Sequence, residues 1–130
     1  MINFSRRALL IGAMSLALVA PALARDPLPF DQAAFDAAQG AGEPIVVHVT
    51  APWCGECRAQ KPIVAKLADE PEFASVKLFN VDFDSQKDVL RAFRVQYQAT
   101  FIVFKGTTEV GRSTGETDPA VIRALFEKAI

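Results

Sequence analysis

Apolar residues along the chain form short runs of strand length, separated by segments with helical periodicity. The clearest run covers residues 45–50, which are almost all β-branched and suit a strand buried on both faces. Further strands are predicted at 76–82, at 100–104 and at about 109–113. The short link Lys105-Gly106 joins the last two, which predicts an antiparallel hairpin there.

Four helices are predicted around these strands from their caps and apolar faces. Asp31 caps the first, and the second covers about residues 54–68 with a kink at Pro62. Ser85 is the predicted cap of the third helix and Thr117 that of the last. The alternation of helices and strands indicates an α/β fold in which helical crossovers connect parallel strands.

Length and composition limit the classes of function that the chain can have. A chain of 130 residues is expected to form one domain, here at 31–130, after a lead-in at 25–30 that contains Pro27 and Pro29. It has 14 Lys and Arg against 15 Asp and Glu without a basic run, which excludes a nucleic-acid-binding surface. Two cysteines and one histidine are too few for a four-ligand zinc site, so we predict no metal and no other cofactor.

Residues 1–24 have the pattern of an export signal. Arg6 and Arg7 precede an apolar run at 8–19, and Ala22-Leu23-Ala24 fits the small-x-small cleavage pattern. The arginine pair is similar to a bacterial twin-arginine signal, and an ordinary secretory signal stays an open alternative, as does an uncleaved membrane anchor. We therefore expect the protein to be exported, for example to a bacterial periplasm, where oxidising conditions let a cysteine pair cycle.

The two cysteines lie in Cys54-Gly55-Glu56-Cys57, at the predicted start of the second helix. Unpaired backbone N–H groups and the helix dipole stabilise an anion there, and the thiolate is the nucleophile of disulfide exchange. We expect Cys54 to attack a substrate disulfide and Cys57, one turn along, to resolve the mixed disulfide. An inert structural disulfide is the alternative, although a bridge that closes so short a loop constrains the unfolded chain little.

The segment Ala51-Pro52-Trp53-Cys54-Gly55-Glu56-Cys57, with Pro62 five residues later, resembles the active-site segment of the thioredoxin family. Other features follow in that family's order: Asn80-Val81-Asp82, the strand at 100–104, Lys105-Gly106 and Gly115. The resemblance covers most of 31–130. It implies a thioredoxin-like fold, with a central mixed sheet flanked by helices, and an activity in dithiol–disulfide exchange. It also implies that Trp53 covers the active site and contacts substrate.

Two departures from the family pattern lie beside the cysteines. The family's cis-proline, which helps to dock partner chains, is Ala99 here, followed by Thr100. By resemblance both are predicted to bind substrate. A cis bond before a non-proline residue costs about 2.5–4 kcal/mol, so we expect a trans bond and a wider space beside the thiols. The family's Gly-Pro is Gly55-Glu56, and an acidic neighbour disfavours a thiolate, which favours a reducing role.

His48, the only histidine, stands where thioredoxins carry a buried acid, six residues before Cys54. It has two interpretations. As a proton relay it would accept the Cys57 proton, using the ordinary imidazole pKa of about 6.5. As a core residue it would stay neutral and hydrogen-bonded.

Together these features predict an exported thiol–disulfide oxidoreductase that reduces protein disulfides and receives electrons from a dithiol donor. One alternative is a thiol oxidase or isomerase. Another is a non-catalytic module that holds a metal or cluster through the cysteine pair. Contact with a membrane is expected only through the signal segment, if that segment stays uncleaved.

Overall fold

The computed structural model describes residues 25–130. The predicted export signal at 1–24 lies outside the described residues. Between residues 25 and 130, none of the helices combines the length and the hydropathy needed to cross a membrane.

The described chain alternates strands and helices as predicted. In chain order the elements are β1 Leu28–Pro29, α1 Gln32–Gly40, β2 Pro44–Thr50, α2 Gly55–Asp69, a 3₁₀ turn Pro71–Phe73, β3 Lys77–Asp82, α3 Lys87–Phe93, β4 Thr100–Lys105, β5 Thr108–Thr114 and α4 Pro119–Glu127.

The five strands form one mixed sheet in the order β1-β3-β2-β4-β5. β3 runs parallel to both β1 and β2, whereas β2 with β4 and β4 with β5 are antiparallel pairs. Strand β2 is central, and every residue from Ile45 to Thr50 is buried. This confirms the α/β fold and the strand predicted to be buried on both faces.

The alternation of side chains along β2 divides the core between the two faces of the sheet. Val46 packs with apolar residues of α2 and α4. Ile45, Val47 and Val49 pack on the opposite face, against α1 and α3. The carboxyl end of β2 is therefore fixed by packing on both sides, and the chain leaves it directly into the cysteine segment.

Strand β1 is absent from the sequence-based prediction, which gave residues 25–30 only a lead-in role. Leu28 and Pro29 pair in parallel with Phe79 and Asn80 of β3. A two-residue strand has no detectable periodicity, and proline is tolerated at a sheet edge, where one side needs no N–H donor.

Two of the predicted helix caps are wrong by one residue, whereas the Asp31 cap of α1 is confirmed. Gln86, not Ser85, precedes α3, because the Asp82 carboxylate accepts the Ser85 N–H and holds it in the preceding turn. Asp118, not Thr117, caps α4 by accepting the N–H of Ala120.

Candidate active site

The cysteine pair lies where the chain passes from β2 into α2. A turn after Thr50, closed by a 3.2 Å hydrogen bond from the Cys54 N–H to the Ala51 carbonyl, makes Cys54 the N-cap of α2. The Cys57 N–H donates to Cys54 Sγ at 3.1 Å. The helix start therefore directs an unpaired backbone donor at the first sulfur, as the sequence predicted.

Cys54 and Cys57 are joined by a disulfide, with their Cα atoms 5.3 Å apart. Both residues are buried and pack with Ala51 and Ala99, while the half-buried Phe83 closes the cluster. The structure thus brings together three predicted site residues, the two cysteines and Ala99. The Ala99 side chain belongs to this cluster, and a space beside the thiols wider than a proline would leave stays a prediction.

Glu56 places a negative charge next to the first sulfur. Its Oε2 lies 3.9 Å from Cys54 Sγ. The helix dipole that stabilises a Cys54 thiolate therefore acts beside a carboxylate that opposes it.

Two exposed aromatic residues, which we call the rim, precede members of the disulfide cluster in sequence: Trp53 comes directly before Cys54 and Tyr97 two residues before Ala99, with 55% and 64% of their surfaces accessible. The Trp53 Nε1–H donates to both carboxylate oxygens of Asp84, at 3.0 and 3.2 Å, and its ring meets Phe83 edge-on. That Trp53 covers the active site and contacts substrate stays a prediction. Asp84 and Tyr97 were missed, because neither belongs to the cysteine motif.

The backbone at Ala99 has an unusual conformation for a residue with a side chain. No cis peptide bond occurs in residues 25–130, so the expected trans bond is confirmed, and Ala99 has a positive φ of 58°. Its N–H donates to the Val49 carbonyl at 2.8 Å, and its carbonyl accepts from the Gly115 N–H at 2.9 Å and from Gln60 Nε2 at 3.1 Å. These bonds hold a conformation that costs about 1–2 kcal/mol for an L-residue.

Thr100 points inward at the start of β4. Its hydroxyl donates to the Tyr97 carbonyl at 2.8 Å and pairs with the Thr114 hydroxyl at 3.0 Å. Both bonds are internal, so the geometry gives Thr100 a role in shaping the loop before β4. Direct contact of Thr100 or Ala99 with substrate stays a prediction.

His48 lies behind the cysteine pair on β2, 3% exposed, with its ring stacked on Phe101 at 4.3 Å between centroids. Burial lowers the pKa of His48 to about 4, and the charge of Lys61 acts in the same direction, against a hydrogen bond with Gln60. The pKa near 6.5 assumed for a proton relay is therefore wrong, and the imidazole is neutral at neutral pH. Its participation in proton transfer stays a prediction.

Gln60 is a site residue that the sequence analysis missed. It is fully buried in α2, one turn after Cys57, and bonds to His48, to the Ala99 carbonyl and to the Glu116 carbonyl. The buried residues of α2 recur with helical spacing: Cys57, Gln60, Val64, Leu67 and Ala68. An amide on that otherwise apolar face is the signal that could have found it.

A cavity of about 310 Å³ opens beside His48, and Thr50, Lys61 and Asn80 share its lining. Within residues 25–130, no group of three or more His, Cys, Asp or Glu side chains is arranged to hold a metal ion.

Comparison with known proteins gives one consistent family. The family model for thioredoxin matches residues 27–128. Thioredoxin H-type of Fagopyrum esculentum is 40% identical over 81 residues, which are 62% of this chain and 68% of that protein. Thioredoxin Asp f 29 of Aspergillus fumigatus is 32% identical over 87 residues, 67% of this chain and 78% of its own. The crystal structure of Trxlp from Edwardsiella tarda superimposes with a TM-score of 0.74 at 39% identity, covering 77% of this chain and 98% of Trxlp.

Proposed function

Because this chain belongs to the thioredoxin family and is a thiol–disulfide oxidoreductase, we propose that it is an exported protein that reduces disulfides in other proteins. The observation that carries the reducing direction is the Glu56 carboxylate, 3.9 Å from Cys54 Sγ. A thiol pair whose thiolate is destabilised has a less stable reduced form, and it therefore gives up its electrons more readily.

The proposed reaction has two exchange steps. The Cys54 thiolate attacks one sulfur of the substrate disulfide, forming a mixed disulfide and releasing the other substrate sulfur as a thiolate that takes up a proton. Cys57 then loses its proton and attacks Cys54 Sγ, which breaks the mixed disulfide and releases the second substrate thiol. Two electrons have moved to the substrate, and the Cys54–Cys57 disulfide is formed. A dithiol donor restores the reduced pair by the same chemistry in reverse.

Removing the charge of Glu56 tests the proposed direction of electron transfer, from the cysteine pair to the substrate disulfide. In Glu56→Gln the reduction potential of the pair, measured by equilibration with glutathione, should rise by roughly 10–30 mV, since 30 mV is about tenfold in equilibrium constant. Asp69→Asn is the matched control, because it removes the charge of an exposed carboxylate at the far end of α2. It should leave the reduction potential unchanged. An unchanged or lower potential in Glu56→Gln would show that this carboxylate does not set the direction. A wild-type protein that oxidises dithiol substrates instead of reducing disulfides would favour the oxidase alternative.

Export is supported by the signal pattern of residues 1–24, and the proposed cleavage after Ala24 is compatible with the contacts of Arg25. The Arg25 guanidinium donates hydrogen bonds of 2.8–3.3 Å to four backbone carbonyls, those of Ala68, Phe73, Ala74 and Val76. Cleavage after Ala24 would keep Arg25 and all of these bonds.

Expression of the full chain in a bacterium tests this part of the proposal. The protein recovered from the periplasm should begin at Arg25 by mass spectrometry, and a variant with phenylalanine at both Ala22 and Ala24 should stay unprocessed. Replacing Arg6 and Arg7 with lysine should block export only if the twin-arginine route is used. Unprocessed protein confined to the cytoplasm would contradict export and leave the oxidoreductase activity untouched.

A further inference from the structure

Gln60 links three segments of the fold to the helix that carries the cysteine pair. Its Oε1 is 2.7 Å from Nε2 of His48 on β2. Its Nε2 donates to the Ala99 carbonyl before β4 at 3.1 Å and to the Glu116 carbonyl before α4 at 2.8 Å. A single buried side chain on the cysteine helix thus connects segments 12, 39 and 56 positions away in sequence.

These bonds determine which way the Gln60 amide is oriented and which ring nitrogen of His48 carries the proton. An amide nitrogen has only donors and its oxygen only acceptor sites, and both Gln60 donors are used by carbonyls. Oε1 therefore faces the ring, and a neutral His48 must carry its proton on Nε2 in order to donate to it. Nδ1 is left with its lone pair, so any proton that the neutral ring accepts is taken up there.

The same amide supports the strained backbone at Ala99. The Ala99 carbonyl accepts from Gln60 and from the Gly115 N–H, and the Ala99 N–H donates to Val49. Ala99 in turn packs against both cysteines. A change at Gln60 is therefore transmitted to the disulfide through Ala99, in the loop before β4.

We propose that Gln60 is a positioning residue of the dithiol site, which holds His48 in the Nε2–H form and ties the Ala99 backbone to α2. This inference rests on the arrangement behind the cysteines, and neither export nor the direction of electron flow enters it. It also does not require His48 to transfer a proton.

Nitrogen NMR of the single histidine tests the first part on the full chain. The wild-type protein at pH 7 should show a protonated Nε2 and an unprotonated Nδ1. In Gln60→Leu, loss of the acceptor should shift the ratio of the two tautomers by about 2- to 10-fold toward Nδ1–H, the range that one net hydrogen bond provides. Gln60→Glu keeps an acceptor oxygen and should keep the proton on Nε2, with or without a second proton on Nδ1. A wild-type Nδ1–H form, or an unchanged ratio in Gln60→Leu, would overturn the assignment.

Amide hydrogen exchange tests the second part. In both Gln60 variants the Ala99 and Gly115 amides should exchange faster by about 2- to 10-fold, relative to core amides of β2 that report global unfolding. Val64→Ala is the matched control, since Val64 is buried one turn further along the same helix. It should loosen packing without changing the tautomer or the relative exchange at Ala99. If Val64→Ala gives the same local changes, or if exchange at Ala99 follows global unfolding in every variant, Gln60 has no specific positioning role.

Discussion

The disulfide has an exposed side and a buried side, which are built on different principles. On the exposed side, Trp53 and Tyr97 keep more than half of their surface accessible, and the indole of Trp53 is fixed mainly by Asp84. On the buried side, His48, Gln60 and Ala99 are almost inaccessible and are joined by hydrogen bonds across three segments of the fold. The comparison indicates that the rim can change with little effect on folding, whereas the buried side couples folding to thiol chemistry.

Ala99→Pro should have the largest effect on the buried side. Proline requires a φ near −65° and has no N–H, whereas Ala99 has a φ of 58° and donates to Val49. The proline usual in this family therefore does not fit the present backbone, and the free energy of unfolding should fall by about 3 kcal/mol or more. Denaturant titration would measure this, and an unchanged or raised stability would show that the loop can rearrange to accept proline.

Acid should destabilise the fold through His48 by a similar amount. The unfolded histidine binds its proton at a pKa of about 6.5 and the folded one at about 4, so between these pH values the unfolded state holds the additional proton. The stability present at pH 7 should fall progressively as the pH drops from 6.5 to 4, by about 3 kcal/mol in total. Arg25, Asp26 and Lys61 also line the cavity beside this ring. The free energy of unfolding of His48→Gln must therefore be measured over the same pH range as that of the wild type. The difference between the two curves of stability against pH gives the contribution of His48 alone. Parallel curves for the wild type and His48→Gln would contradict the prediction.

Ala99→Gly should have a smaller effect of the opposite sign. Glycine accepts a positive φ, so the substitution removes the conformational cost of about 1–2 kcal/mol that alanine has there. It also adds a destabilising cost of about 0.5–1 kcal/mol, because glycine loses more backbone entropy on folding. Arg94, exposed at the end of α3 with a φ of 55°, offers a matched control without contacts to the thiols. We expect Arg94→Gly to stabilise by about 0.5–1 kcal/mol and Ala99→Gly by less, because Ala99 also loses packing against the cysteines. A larger gain at Ala99 would mean that its packing contributes nothing.

The rim should show the smallest change in stability. In Asp84→Ala, water replaces the acceptor of the Trp53 N–H, and the free energy of unfolding should change by less than about 0.5 kcal/mol. Reduction of a protein disulfide should slow relative to reduction of a small disulfide, because the freed indole no longer presents a fixed surface. Asp88→Ala, at another exposed carboxylate, controls for charge. A stability loss as large as that of the buried-side variants would abolish the distinction between the two sides.

Local patterns predicted most of what lies near the cysteines in sequence. The β-branched run of β2, the turn after Thr50 and the helix that follows place Cys54 at a helix start, and neighbouring residues suffice for each step. The caps of α3 and α4 were missed by one residue, because Asp82 holds Ser85 in the turn before α3 and because Asp118 stands next to Thr117 at α4.

Long-range partners could not be predicted in this way. The positive φ of Ala99 is held by Val49, Gln60 and Gly115, which are distant in sequence and meet only when the sheet has formed. The low pKa of His48 likewise comes from burial between α2 and β4, whereas its residue type alone predicted an ordinary pKa. The resemblance to thioredoxins marked both positions as unusual, but it gave no information on what replaced the family residues.

The central claim is that Cys54 attacks and Cys57 resolves, and a pair of single-cysteine variants tests it most directly. Reduced Cys57→Ala, mixed with a disulfide-containing protein, should accumulate a mixed disulfide through Cys54, because the resolving thiol is gone. Reduced Cys54→Ala should form little, because Cys57 lies one turn inside the helix, whereas Cys54 is the N-cap, where the unpaired N–H groups stabilise a thiolate. Non-reducing electrophoresis and mass spectrometry would identify the linked cysteine. A stable adduct through Cys57, or equal amounts in the two variants, would contradict the account.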